Sequence, residues 1–183
     1  HLYLGIESGL DDVLKFMKKD HDLAQAYQAI DRLHEAGLIY DAHIMTGVAG
    51  KGRGMENAEA LAQFLNRTNP AHVVNFSMFL HKEVPLYQDI RQGTFVPADE
   101  LETIREEYHL IERIAPEKAG ANILYDGFHD FIHVRVRGHL PGDKEKMLAK
   151  LNGIIQEYEG KEPVYSFVQG ECPDLEYCDD GKA

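Results

Sequence analysis

Glu7 and Ser8 close a short apolar run, Leu2-Tyr3-Leu4-Gly5-Ile6, and Gly9 follows them. A carboxylate and a hydroxyl at that point are candidates for chemistry, because in parallel α/β sheets and barrels ligands gather at the carboxyl ends of the strands. Glu7 could work there as a general acid or base with His43 as its partner. A purely local reading also fits: Glu7 caps the next helix and Ser8 turns the chain. The second candidate stretch is Thr46-Gly47-Val48-Ala49-Gly50-Lys51-Gly52-Arg53-Gly54. Its glycines let the backbone approach a ligand closely, or simply let a strand-to-helix turn swing. It is not a phosphate-binding P-loop, since no Ser or Thr follows Lys51, and its spacing also fails the dinucleotide fingerprint.

The elements that must position these residues are read from hydrophobic period and punctuation. A buried strand over Leu2–Ile6 leads into a short helix around 11–18 and a longer one over 22–36, where Asp22 and Gln25 have the form of a capping box and Gly37 a C-terminal stop. Leu38 to Met45 reads as the second strand, 56–67 as a helix closed by Asn69-Pro70, and His72 to Leu80 as the third strand. Asn75 and Ser77 inside that strand must bond within the barrel or face a ligand. A turn at Pro85-Leu86-Tyr87 precedes a long helix from Pro97 to Ile114 with Leu101, Ile104, Tyr108 and Ile111 as its apolar stripe. Successive strand-helix units imply parallel strands with right-handed crossovers.

From Ala119 the pattern changes. Residues 122–128 read as a loop, and 131–139 alternates, with Ile132, Val134 and Val136 on one face and His133, Arg135 and Arg137 on the other. That is a half-exposed strand, expected to pair antiparallel with a last strand over Pro163–Val168 after a helix reaching Tyr158. The basic face would be solvated, or would hold an anion or a partner. The chain therefore divides into 1–118, a small α+β extension over 119–170, and an irregular acidic tail over 171–183.

Composition narrows the classes. The formal net charge of −12 argues against a surface built for unspecific contact with nucleic acid. No apolar run is long enough to suggest a membrane span, and a cytoplasmic protein is the expectation. Cys172 and Cys178 have no zinc or disulfide spacing and read as free thiols; the histidines other than His133 are scattered, and no metal site is read from them.

Three motifs in order resemble the second half of a radical S-adenosylmethionine (SAM) iron-sulfur oxidoreductase. They are Leu4-Gly5-Ile6-Glu7-Ser8-Gly9 with Asp12, Leu14 and Met17; Ile44 to Gly50 after Ala36-Gly37; and Asn69-Pro70 to Phe79 followed by Pro85-Leu86-Tyr87 and Gly93-Thr94-Phe95. The resemblance covers Leu2 to about Ile114. It implies an α/β fold: a fragment of a partial (β/α) TIM-like barrel, with three parallel strands (the fourth to sixth of six) and outer helices, plus the small C-terminal extension. It implies Glu7 at the ribose position with Ser8 beside it, Met45 and Gly47 against the adenine, and further adenine contact near Phe79. His43 and Gly50 depart from the family's fifth-strand pattern, where a glycine and an acid are common. The cofactors implied for a full-length parent are SAM and a [4Fe-4S] cluster. The CxxxCxxC ligands of that cluster are not in this chain, which alone is expected to be inactive, and the substrate is unknown. An N-terminal strand left without a neighbour is expected to drive homo-oligomer formation. The alternative reading is a stand-alone α/β binding module for an anion, nucleotide or protein partner.

Overall fold

The computed structural model describes residues 1–168. Its elements alternate from the start: β1 (Leu2–Glu7), α1 (Asp11–Phe16), α2 (Leu23–Glu35), β2 (Tyr40–Thr46), α3 (Gly54–Thr68), β3 (His72–Ser77), α4 (Leu86–Arg91), α5 (Glu100–Arg113), β4 (Ile123–His129), β5 (Val134–Leu140) and α6 (Lys144–Tyr158). The strands lie side by side in chain order, β1 to β4 parallel and β5 antiparallel to β4. Strands added in sequence at one edge are what a barrel lays down. A doubly wound sheet would reverse direction.

Strand alternation sorts the side chains. Tyr40, Ala42 and Ile44 of β2, Val73 of β3, Ile123 and Tyr125 of β4 and Val136 of β5 join Ile30, Leu61, Leu65, Ile104, Leu110 and Leu151 of the helices in one buried core. The sequence punctuation works as read at α2, where Asp22 accepts from Gln25 N and Gln25 accepts from Asp22 N, and at α3, which ends on a left-handed Asn69 before Pro70. The apolar band of α5 is displaced from its sequence reading. Leu101 and Tyr108 are only half-buried, whereas Glu100, Thr103, Glu106 and Glu107 are buried against the sheet.

Two expectations need correction. Residues 123–129 are a strand, β4, and extend the parallel set to four. Asp126 and Gly127 have low strand propensity, but Gly127 is where a carboxylate of α5 lies against the backbone, leaving no room for a Cβ. The second correction concerns the partner of the alternating segment. β5 pairs with β4 through a short 3-10 turn, Asp130–Ile132, with His133 in the left-handed region before the strand rather than on it. A tight local connection wins over the distant partner. Residues 163–168 run instead beside Leu80, with Leu80 N donating to Ser166 O (2.7 Å) and Val168 N to Leu80 O (2.9 Å). Cys172 and Cys178 fall outside the described residues.

Candidate functional site at the carboxyl ends of the parallel strands

At the end of β1 the pairing with β2 slips: Gly5 faces His43, but Glu7 faces Ile44, so one residue is bulged. Ser8 N donates to Ile6 O (2.7 Å) across Glu7, whose φ is +61°. A tight three-residue turn around a left-handed non-glycine residue is strained, and such bulges re-aim a side chain. The Glu7 carboxylate accepts a bond from Lys19 Nζ at 3.1 Å, and Gly5 makes room for it, since a Cβ there would lie 2.6 Å from Glu7 Oε1. Both variants lacking this carboxylate remove the Lys19 contact, but only glycine relieves the backbone. Glu7→Gly is therefore expected to be more stable than Glu7→Ala by about 1 kcal/mol in urea unfolding, the reverse of the ordinary strand ranking.

Ser8 is fully buried. Its hydroxyl donates to Asn57 Oδ1 (2.6 Å) and accepts from Leu10 N (3.1 Å), so its proton is committed within the protein. Asn57 also accepts from Gly9 N (3.1 Å) and donates to Glu106 Oε1 (2.7 Å), while Glu106 Oε2 accepts from Gly47 N (2.8 Å). One side chain of α5 thus ties the turn after β1 to the turn after β2. Gly47 has a φ of +82°, and a Cβ would sit 2.8 Å from Thr103 Cγ2. The approach of α5 by itself requires glycine there. Met45 packs between the small apolar clusters at this end of the sheet, and Phe79 is 55% exposed just past β3.

The other two glutamates of α5 continue the stitching. His129, at the end of β4, is fully buried between Glu100 Oε2 and Glu107 Oε2, each 3.0 Å from a ring nitrogen. Glu107 also accepts from Asn75 Nδ2 and Tyr125 OH (both 3.0 Å), and Asn75 accepts from Thr46 N (3.1 Å). Glu100 accepts from Ser77 and from Ser166. Asn75 and Ser77 therefore bond within the protein, one of the two options their sequence allowed. Together the three glutamates fasten the carboxyl ends of all four parallel strands.

This network titrates in a definite direction. Burial opposes charge on His129, but Glu107 and Glu100 on either side outweigh it and raise the imidazole to about 10, so both ring nitrogens donate. Glu100 is pushed up by burial, yet the His129 cation and the serine donors hold it below the usual carboxylate range. Burial raises Glu106 to about 8 despite the donors Asn57 and Gly47 and the charge of His129. His129 and Glu106 both bind protons more tightly folded than unfolded. The stability His129 contributes is complete below its unfolded value of 6.5 and is lost as pH rises through about 10; that of Glu106 is lost between 4.5 and about 8. Unfolding free energy is expected to fall between pH 6.5 and 8, at most by about 1.4 kcal/mol per pH unit for each group. His129→Gln should flatten the slope. Denaturant titrations at closely spaced pH values read this out.

A cavity of about 380 Å³ opens at this end, between α1, the glycine-rich loop and the chain before α5. Its lining includes Asp12, Phe16, Gly50, Arg53 and Phe95, and the Phe16 and Phe95 rings stack at 5.8 Å. Arg53 pairs with Asp12 (2.7 Å) and Glu56 (2.9 Å), and the Asp12 carboxyl is held below its usual value by that bond. None of Glu7, Ser8, Met45, Gly47 and Phe79 lines it. His43, the suggested partner of Glu7, makes ring contacts with Tyr3 (5.1 Å) and Phe76 (6.1 Å). The basic face of β5 is partly neutralised: Arg135 forks onto Asp126 at 2.8 and 2.6 Å, and Arg137 lies 3.4 Å from the same carboxylate.

The α5 glutamates, Asn57 and His129 were not singled out from sequence. The available signal was Glu100, Thr103 and Glu107 at helical spacing on the side where an apolar stripe was expected.

The fold defined by these strands is α/β, a fragment of a partial (β/α) TIM-like barrel. No family model matches the chain, and no curated protein matches its sequence. Among solved structures it is similar to the archaeal Methanocaldococcus infernus Elp3 with N-terminus deletion (1-46), with a TM-score of 0.60 and 19% identity. That match covers 86% of this chain and 36% of that one. At this identity the likeness shows the fold alone.

Proposed function

We propose that this chain is the carboxyl-terminal part of a radical SAM barrel and that its parent protein uses S-adenosylmethionine to start radical chemistry on a substrate. The observation that carries the reading is Glu7: a carboxylate at the carboxyl end of a barrel strand, on a bulge and in a left-handed conformation. Strain of this kind persists where the surrounding structure enforces it and is common at ligand sites. In this reading Glu7 accepts hydrogen bonds from the ribose, while Met45, Gly47 and Phe79 face the adenine. Glu106 acts as a positioning residue, holding the turns after β1 and β2 in register through Asn57 and Gly47.

Bound SAM supplies hydrogen-atom abstraction when a reduced [4Fe-4S] cluster is present. The residues described here do not fit that cluster: among them no three His, Cys, Asp or Glu side chains are grouped to hold a metal. The cluster therefore belongs to the parent's earlier strands, and this chain by itself is inactive in SAM cleavage. β1 is an edge strand with Leu2 and Tyr3 exposed, and in the same reading it pairs with a neighbour or a second copy.

The test is the coding sequence ahead of His1. A CxxxCxxC motif there, and 5′-deoxyadenosine released by the longer protein on anaerobic reduction with SAM, are the expected results. A gene without that motif overturns the reading and favours the stand-alone binding module.

A further inference from the structure

The helices cover one face of the sheet. Across the other runs a ladder with one member from each strand: Tyr3 of β1, His43 of β2, Phe76 of β3, Phe128 of β4 and Arg135 of β5. Successive ring centroids are 5.1, 6.1 and 5.5 Å apart, Phe76 and Phe128 are stacked at 16°, and the Arg135 guanidinium lies 4.7 Å over the Phe128 ring. Tyr3 is 59% and Phe76 37% exposed. We infer that this ladder binds a small planar aromatic ligand that carries an anionic group, with its ring on the exposed Tyr3 and Phe76 rings and its anion toward Arg135 and Arg137.

Two observations carry this. The exposed Tyr3 and Phe76 rings can stack on a flat π-system, and Phe128, between Phe76 and the Arg135 guanidinium, ties the cation to the row. The charge at that end is also unbalanced. Arg135 and Arg137 share the single buried carboxylate of Asp126, so two cations meet one acid. The acids elsewhere on this face have their own partners, Lys19 for Glu7 and His1 for Asp41. A ligand with a flat ring and an anion satisfies both features. A nucleic-acid strand does not suit a chain of net charge −12, because a polyanion is repelled by the surface beyond the two arginines. The inference stands apart from the SAM reading, which concerns the strand ends.

The 183-residue chain is titrated by NMR with guanosine 5′-monophosphate and with 2-naphthoate, which separate a nucleoside phosphate from an aromatic carboxylate. Guanosine, naphthalene-2-methanol and inorganic phosphate are the controls. At least one ring anion is expected to bind, with its neutral analogue and phosphate about tenfold weaker or worse, and Phe76→Leu is expected to weaken binding about tenfold. Arg135→Gln should remove the preference for the anion over its neutral analogue. Tyr3→Leu, on an exposed edge residue, serves if Phe76→Leu fails to fold. The inference is overturned if neither ring anion binds, if phosphate alone binds as well, if the ring variants leave affinity unchanged, or if an oligothymidylate binds more tightly than either ring anion.

Discussion

His129→Ala is expected to destabilise the fold by about 3 to 5 kcal/mol, the range for removing one partner of a fully buried ion pair. That is a large fraction of a domain's total stability. The cost comes from what remains rather than from the lost ring. Glu100 and Glu107 would be left buried, each without the ring nitrogen 3.0 Å away that now balances it. They would have to take up protons or draw water into the space between α5 and the sheet. A double variant separates this account from simple cavity formation. Glu107→Gln added to His129→Ala removes a stranded acid and should recover part of the loss, whereas a cavity effect would not be relieved by changing the glutamate. Chemical denaturation of the three proteins reads the result. A loss below about 1 kcal/mol in His129→Ala would mean that the network is not balanced by His129.

Gly9→Ala is the second large effect. A Cβ at Gly9 would lie 2.5 Å from the Ala60 carbonyl carbon and 2.7 Å from Ala60 Cβ, and also against Leu61 N. These are atoms of a helix backbone or a side chain fixed to it, and α3 cannot retreat because Ala58, Leu61 and Leu65 hold it in the core. The turn after β1 must move instead, stretching the bonds from Gly9 N and Ser8 Oγ to Asn57. A cost of about 3 kcal/mol is expected, at the upper end of ordinary overpacking. Gly153→Ala on α6 is the matched control. Nothing lies within 4 Å of a Cβ there, so alanine should stabilise by up to about 1 kcal/mol through helix propensity. Opposite signs at two glycines would show that close approach, not glycine content, fixes Gly9.

Much of the frame was legible in the sequence because it is local. The capping box at Asp22 and Gln25, the stop at Asn69-Pro70 and the alternating segment of β5 each depend on a few neighbouring residues. The α/β class and the parallel order followed from those units in succession. What stayed hidden depends on contacts distant in sequence. β4 looked like a loop because the environment that favours Gly127, a carboxylate of α5 against its backbone, comes from another element. Glu100, Glu106 and Glu107 carried no signal of their own, since a buried carboxylate is legible only through its partner and His129 is remote in the chain. The same holds for the candidate site. Glu7 was legible as a polar residue at a strand end, but the bulge and its left-handed backbone arise from pairing with β2. The aromatic ladder takes one residue from each strand, so no local pattern announces it.

The most direct test of the central claim, that the carboxyl ends of β1 and β2 cradle the nucleoside part of SAM, is an NMR titration of the 183-residue chain with S-adenosylhomocysteine, comparing the wild type with Glu7→Gln. The account predicts shifts centred on Glu7, Met45, Gly47 and Phe79, and an affinity lowered about tenfold or more in the variant, as expected for losing a charge-assisted hydrogen bond. Shifts confined to the groove at the opposite ends of the strands, around Gly37, Asn69 and Ala121, or an affinity indifferent to Glu7→Gln, would contradict it.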